Sequence, residues 1–214
     1  MEHRSTLDSP KSGARHKLLA AALTLVRQKG YASTSVDELC AEAGVTKGAF
    51  FHHFRSKEAL AVAAANHWSE TTAAFFRSAP YHKHSDPLER VLGYLDFRKA
   101  ILKGELAQFT CLVGTMVQEV YGTSPDIREA CAASIIGHAA QLEADIAAAM
   151  KRRRIRASWT AGSLALHTQA VLQGAFILAK ANGGAPIAAT SIEHLRRYIE
   201  LLLSPPTRKS KETS

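Results

Sequence analysis

Cysteine is scarce in this 214-residue chain: Cys40, Cys111 and Cys131 are the only three, and no CxxC pair occurs. Three thiols cannot all pair, so a disulfide framework of the secreted-domain kind is excluded, and a reducing, cytoplasmic setting is the expectation. No apolar run approaches the roughly 20 residues a membrane helix needs, so no membrane partner is expected. The opening MEHRSTLDSP is polar and charged, without the apolar core of a secretory signal. Aromatic residues are only 7% of the chain while alanine is abundant, a balance that favours helices. The motifs of common catalysts are missing as well: there is no GxSxG, HExxH or Walker-type loop. An enzyme is therefore not expected. The ten histidines do not fill that gap. His82 and His84 lie in a loop without acidic or cysteine partners at ligand spacing, and His138, His167 and His194 stand alone on helical stretches, so neither a metal nor another cofactor is expected.

What is present is charge, unevenly placed. The formal net charge is +8. Residues 1–57 hold 9 Lys/Arg against 5 Asp/Glu and residues 204–214 hold 3 against 1, while the long middle is nearly balanced at 15 against 13. A basic N-terminal module on a near-neutral body suits contact with nucleic acid at one end.

The sequence TSVDELCAEAGVTKGAFFHHFRSKE, residues 34–58, has the marks of two short helices around a tight turn. Ser35 with Glu38 three residues later is a capping-box pair. Val36, Leu39, Cys40 and Ala43 recur at i, i+3, i+4 and i+7, giving one apolar face. Gly44 ends that helix in the left-handed conformation, Val45 anchors the turn, and Thr46 caps a second helix running through about His53. Phe50 and Phe54 share its inward face, whereas Lys47, Gly48, Phe51 and His52 point away. A short helix with such an outward face suits the major groove of double-stranded DNA.

These residues resemble the DNA-binding region of the TetR family of transcriptional repressors. Gly30, Tyr31, Thr34, Val36, Ala43, Gly44, Val45, Thr46, Gly48, His53, Phe54, Lys57 and Leu60 match its pattern, and Phe51 replaces the usual tyrosine, which removes a phosphate-binding hydroxyl. The resemblance implies an all-α fold of about nine helices: a mobile arm over 1–13, a three-helix DNA-binding domain over 14–55, a helical ligand-binding and dimerisation domain over 56–203, and a disordered tail over 204–214. It implies a homodimer on a palindromic operator, released by a small-molecule effector. Lys47 and His52 are the expected base-edge readers, with Thr46, Gly48, Ala49 and Phe51 lining the groove, and Thr34, His53 and Lys57 the expected phosphate contacts. A pocket is expected among Trp68, Phe75, Tyr94, Phe109, Cys111, Met116, His167 and Phe176. The expected dimer stripes are Leu164, Val171, Leu172 and Ala175 near the C-terminus, followed by Ile192, Leu195, Ile199 and Leu202; both could instead face the core of their own chain.

Further helices are expected over about 14–29, from Ser56 to Arg77, over 87–103 behind the Asp86-Pro87 cap, 105–121, 125–153, from Ser158 to Asn182, and 190–203. The run Lys151, Arg152, Arg153, Arg154, Arg156 reads as a solvated helix end. The stretch FTCLVGTMVQEVYG resembles a GCLxGxxxQE segment of a TetR subgroup, with Thr110 in place of the leading glycine. It leaves two other functions open: a thiol-reactive redox or electrophile sensor acting through Cys111, and a helical small-molecule-binding protein with no DNA role.

Overall fold

The computed structural model describes residues 10–204, with side chains from residue 13 onward. The described residues form ten α-helices and a 3₁₀ turn, with no strand. In chain order these are α1 (Pro10–Lys29), α2 (Val36–Ala43), α3 (Lys47–His53), α4 (Lys57–Arg77), the 3₁₀ turn Pro80–Lys83, α5 (Pro87–Ala100), α6 (Leu106–Phe109), α7 (Leu112–Val120), α8 (Pro125–Arg153), α9 (Ala161–Asn182) and α10 (Ala185–Leu203). The first helix already begins at Pro10, inside the expected arm. The rest of that arm, and the tail beyond Ser204, lie outside the described residues.

The chain packs as two compact units. One holds the described residues through Phe76 together with Gly104–Ile135; the other holds Arg77–Lys103 and the described residues from Ile136 onward. This differs from the expected division at residues 55 and 56. α6, α7 and the start of α8 share a core with the helix-turn-helix. Leu18, Leu19, Ala22 and Val26 of α1 pack in one cluster with Leu39, Phe50, Leu60, Ala64, Leu112, Met116, Val120 and Ile127. Burying each large side chain stabilises the unit by roughly 1.5–3 kcal/mol. Cys40 and Cys131 lie in this core, and burial pushes the Cys131 thiol up to about 12, so it packs rather than reacts.

In the second unit α10 packs against α9 and α5. Asp86 caps α5 by accepting from the Leu88 amide at 3.0 Å and also receives Arg153 at 2.8 Å, while Arg152 donates to the Ser85 carbonyl at 3.3 Å. Lys151, Arg152, Arg154 and Arg156 are exposed, as a solvated helix end requires, while Arg153 is partly buried in its pair with Asp86. A polar cluster lies between α5, α8 and α9. Arg98 donates through Nε to the Tyr94 hydroxyl at 2.9 Å and through Nη2 to His138 Nε2 at 2.9 Å; Gln169 reaches the same hydroxyl at 3.3 Å. Desolvation, reinforced by the Arg98 charge, pulls the His138 imidazole down to about 3, so it is held neutral.

Other helix boundaries also differ from expectation. The helix expected over 105–121 breaks at Thr110 and Cys111, both extended, and Cys111 Sγ caps α7 by accepting from the Gly114 amide at 3.4 Å. α9 starts after Thr160, whose hydroxyl forms a capping box with Ser163, rather than at Ser158. α10 begins at Ala185, with Pro186 in its first turn, well before 190.

The dimer stripes need a larger correction. Leu164, Leu172, Ala175, Ile192, Leu195 and Ile199 are buried within the single chain, and Val171 and Leu202 are partly buried. The six buried ones are core residues of their own protomer. The apolar side chains that α9 and α10 leave in water are Leu166, Ile177 and Leu178, with Tyr198 and Leu201. The His167 and Tyr198 rings meet at 5.5 Å, which joins the two exposed faces.

Candidate nucleic-acid interface

Local rules set the reading head. Ser35 accepts from the Glu38 amide while the Glu38 carboxylate accepts from the Ser35 amide at 2.9 Å, closing the capping box at the start of α2. Lys29 pairs with the same carboxylate; this contact, with the Ser35 bonds, holds Glu38 down to about 2. Gly44 has φ 61°, and the Val45 amide bonds to the Cys40 carbonyl at 3.0 Å, turning the chain tightly. Thr46 Oγ1 accepts from the Ala49 amide at 3.1 Å and starts α3. Phe50 and Phe54 are buried beneath α3, and the Arg15 guanidinium lies over the Phe54 ring at 5.6 Å. Removing Phe50 would cost about 3–5 kcal/mol.

Above that base, Lys47, Gly48, Phe51 and His52 are exposed, with Ala49 and His53 partly so. The Phe51 ring is 56% exposed, and the His52 and His53 rings meet edge to face at 5.0 Å. Lys47 pairs with Asp37 at 2.6 Å, with both side chains more than 60% exposed. This contact raises the Lys47 ammonium above its ordinary value. A pair so open to water is worth little, so Lys47 can exchange Asp37 for another acceptor without a large penalty. The exposed Thr46 hydroxyl accepts its cap bond and keeps its O–H available to donate.

Two of the expected phosphate contacts face inward. Thr34 is 1% exposed and donates its hydroxyl to the Gly30 carbonyl at 2.7 Å. Lys57 Nζ donates to the Tyr31 carbonyl at 3.1 Å and the Thr34 carbonyl at 2.9 Å, and lies 4.3 Å from the Tyr31 ring centre. Both side chains are committed to the α1–α2 turn, a correction to the phosphate assignment. His53 borders an open groove with Arg55, Ser56 and Glu58.

The same turn reveals a residue that sequence reasoning did not single out. Glu119, in the last turn of α7, accepts from the Tyr31 amide at 3.0 Å and the Ala32 amide at 2.7 Å. Its only sequence signal is the final glutamate of the QE pair in the GCLxGxxxQE-like stretch.

The eight ligand candidates do not form one described cavity. Trp68, Phe75, Phe109, Cys111 and Met116 belong to the first unit, and Tyr94, His167 and Phe176 to the second. Met116 is in the first unit's core, and Trp68 is partly covered by the Arg27 guanidinium at 5.1 Å. Tyr94 borders a small polar cavity with Tyr81, His82, His138, Gln141, Leu142 and Asp145. His167 is exposed, its ring 5.5 Å from that of Tyr198.

Comparison with known proteins agrees with this architecture. Residues 18–64 match the model described as bacterial regulatory proteins, tetR family, and residues 87–195 match the tetracyclin repressor-like C-terminal domain. The chain is 34% identical over 125 residues to the Escherichia coli repressor NemR, covering 54% of this chain and 58% of NemR. It is 30% identical over 117 residues to the transcriptional regulator AcuR of Cereibacter sphaeroides, covering 55% and 53%. The matched stretch thus spans little more than half of either regulator. Among solved structures, a TetR transcriptional regulator from Chloroflexus aurantiacus superposes with a TM-score of 0.77 at 27% identity, covering 88% of this chain and 95% of that one. The relatives are regulators rather than enzymes, and no helix among the described residues is long and apolar enough to cross a membrane. With a family model matching half of its length beyond the reading head, the chain belongs to the TetR family of transcriptional regulators.

Proposed function

We infer that the protein is a ligand-responsive repressor that binds a palindromic operator as a homodimer and leaves it when a small molecule binds. The observation that carries this reading is the outward face of α3. Lys47, Gly48, Phe51 and His52 stand in solvent on a helix whose opposite face is locked into the core. Lys47 can donate to guanine O6 and N7, and Phe51 can contact a thymine methyl. His53 and the start of α4 are the phosphate-facing elements, since helix N-terminal amides attract anions. The exposed apolar side chains of α9 and α10 support dimerisation, because a soluble monomer rarely leaves such faces uncovered. Two heads add their contacts when their spacing matches about 34–36 Å or a multiple.

The deciding experiment is duplex binding by the full chain across a salt series, with a duplex that it selects from a random-sequence pool. Affinity should fall linearly on a logarithmic salt scale. A chain that selects no sequence and shows no salt dependence has no DNA role.

A second reading has one specific observation behind it. Cys111 is partly buried, caps α7 through its sulfur, and lies within electrostatic reach of the Arg27 guanidinium. A thiol at a helix start near a cation suits a sensor of oxidants or electrophiles. Release of the selected duplex by hydrogen peroxide in the wild type, but not in Cys111→Ser, would favour this reading.

A further inference from the structure

The turn from Gly30 to Thr34 is held from two sides by side chains remote in sequence. Glu119 takes the Tyr31 and Ala32 amides with its two carboxylate oxygens, while Lys57 takes the Tyr31 and Thr34 carbonyls. Thr34 closes the turn by donating to the Gly30 carbonyl. We propose that Glu119 is a positioning residue for DNA binding: its carboxylate fixes the turn that carries α2 and α3 to the end of α7. The proposal rests on the DNA-binding reading above.

The geometry of Gly30 supports a built contact rather than a chance one. Its φ is +90°, which disfavours any side chain. A Cβ placed there would also lie 2.6 Å from Glu119 Oε1. Position 30 is thus restricted by its own backbone, and a side chain there would have to displace the Glu119 carboxylate.

Stability does not explain the arrangement well. Glu119 and Ala32 are exposed and Tyr31 is only partly buried, so water could replace the carboxylate at modest cost. What water could not supply is direction. Two charge-assisted bonds from one rigid carboxylate fix the turn in orientation as well as distance. Leu112, Met116 and Val120 of α7 are packed into the core that holds α1. The helix is therefore joined to the head by its apolar face and by its last carboxylate. A shift along α7, which begins at the Cys111 cap, would reach the α1–α2 turn without passing through α4.

The test uses the full chain, the selected duplex described above, and the variants Glu119→Gln and Glu119→Ala. Glutamine keeps the size but places a donor against one of the two amides. Expected results are an unchanged urea midpoint, duplex affinity reduced about tenfold, and faster hydrogen exchange at the Tyr31 and Ala32 amides. The salt slope should equal that of the wild type, because Glu119 touches no phosphate. Unchanged affinity with faster exchange would overturn the positioning role. Unchanged exchange would show that no clamp exists in solution. An affinity loss matched by a lowered urea midpoint would reduce Glu119 to a stabilising contact. If the wild type selects no duplex, the DNA reading fails and this role with it, while exchange at the two amides still reports separately on the clamp.

Discussion

The Gly30–Thr34 turn and the outward face of α3 belong to one short motif, and both carry polar residues of the kind that touch DNA. They differ in what those residues already hold. At the turn, the Thr34 hydroxyl and Lys57 ammonium bond to carbonyls of the chain itself. On α3, Lys47 holds an exposed Asp37, and the exposed His52 ring meets the His53 ring edge to face. The same contrast recurs on α10, where Leu195 is buried and Leu201 is 77% exposed. A residue's type says what it can bind; whether its partners are already in place says what it is for.

The α10 pair gives the largest expected effect. Leu195→Glu should bury an unpaired carboxylate and cost about 4 kcal/mol, enough to unfold much of the population by circular dichroism. Leu201→Glu should stay folded and become monomeric by light scattering, with operator affinity lost. If Leu195→Glu stays folded and Leu201→Glu stays dimeric, the two faces have been assigned the wrong way round.

Lys57→Met should come next. It leaves the Tyr31 and Thr34 carbonyls without their charged donor, at about 2–3 kcal/mol in urea denaturation. Affinity should fall for every duplex while the salt slope keeps its wild-type value. A slope smaller by about one unit would return Lys57 to the phosphate contacts.

His138 carries the comparison into the second unit as a buried group held neutral by its surroundings. Its folded value of about 3 lies below the ordinary 6.5, so the unfolded chain binds the proton more readily. The stabilising contribution is whole above pH 6.5 and declines as pH falls towards 3. By pH 5 the loss should be about 2 kcal/mol, and His138→Gln should flatten that part of the profile. A wild-type stability that is level from pH 7 to 5 contradicts the neutral imidazole.

Lys47→Ala should be the mildest for the fold. The urea midpoint should not move, while affinity drops by about 1–2 kcal/mol at a few base pairs only. Equal losses on all sequences would make Lys47 a backbone contact instead.

Much of the head was legible because its signals are local. The Ser35–Glu38 box, the Gly44 stop and the Thr46 cap each act within four residues, and each stands where the sequence puts it. Thr34 and Lys57 were not legible in this way. Their partners are set by tertiary packing, and Glu119 lies 88 and 87 residues from the amides it binds. The break before α7 was hidden because cysteine is not among the usual helix caps. α10 misled for another reason: it has apolar residues on two faces, and periodicity alone does not say which one the protomer keeps. The pocket residues were chosen for size and position, signals that do not separate a ligand wall from a core.

If a second copy covers Leu166, Ile177, Leu178, Tyr198 and Leu201, as the proposed homodimer requires, thermal resistance becomes a matter of abundance. A face that is satisfied only by a second copy links folding to association, so the melting temperature should climb as protein concentration rises. In a cell holding few copies, the regulator would be both sparsely paired and more readily cleared by proteases. Its output would then respond to expression level more steeply than in direct proportion, before any effector is present.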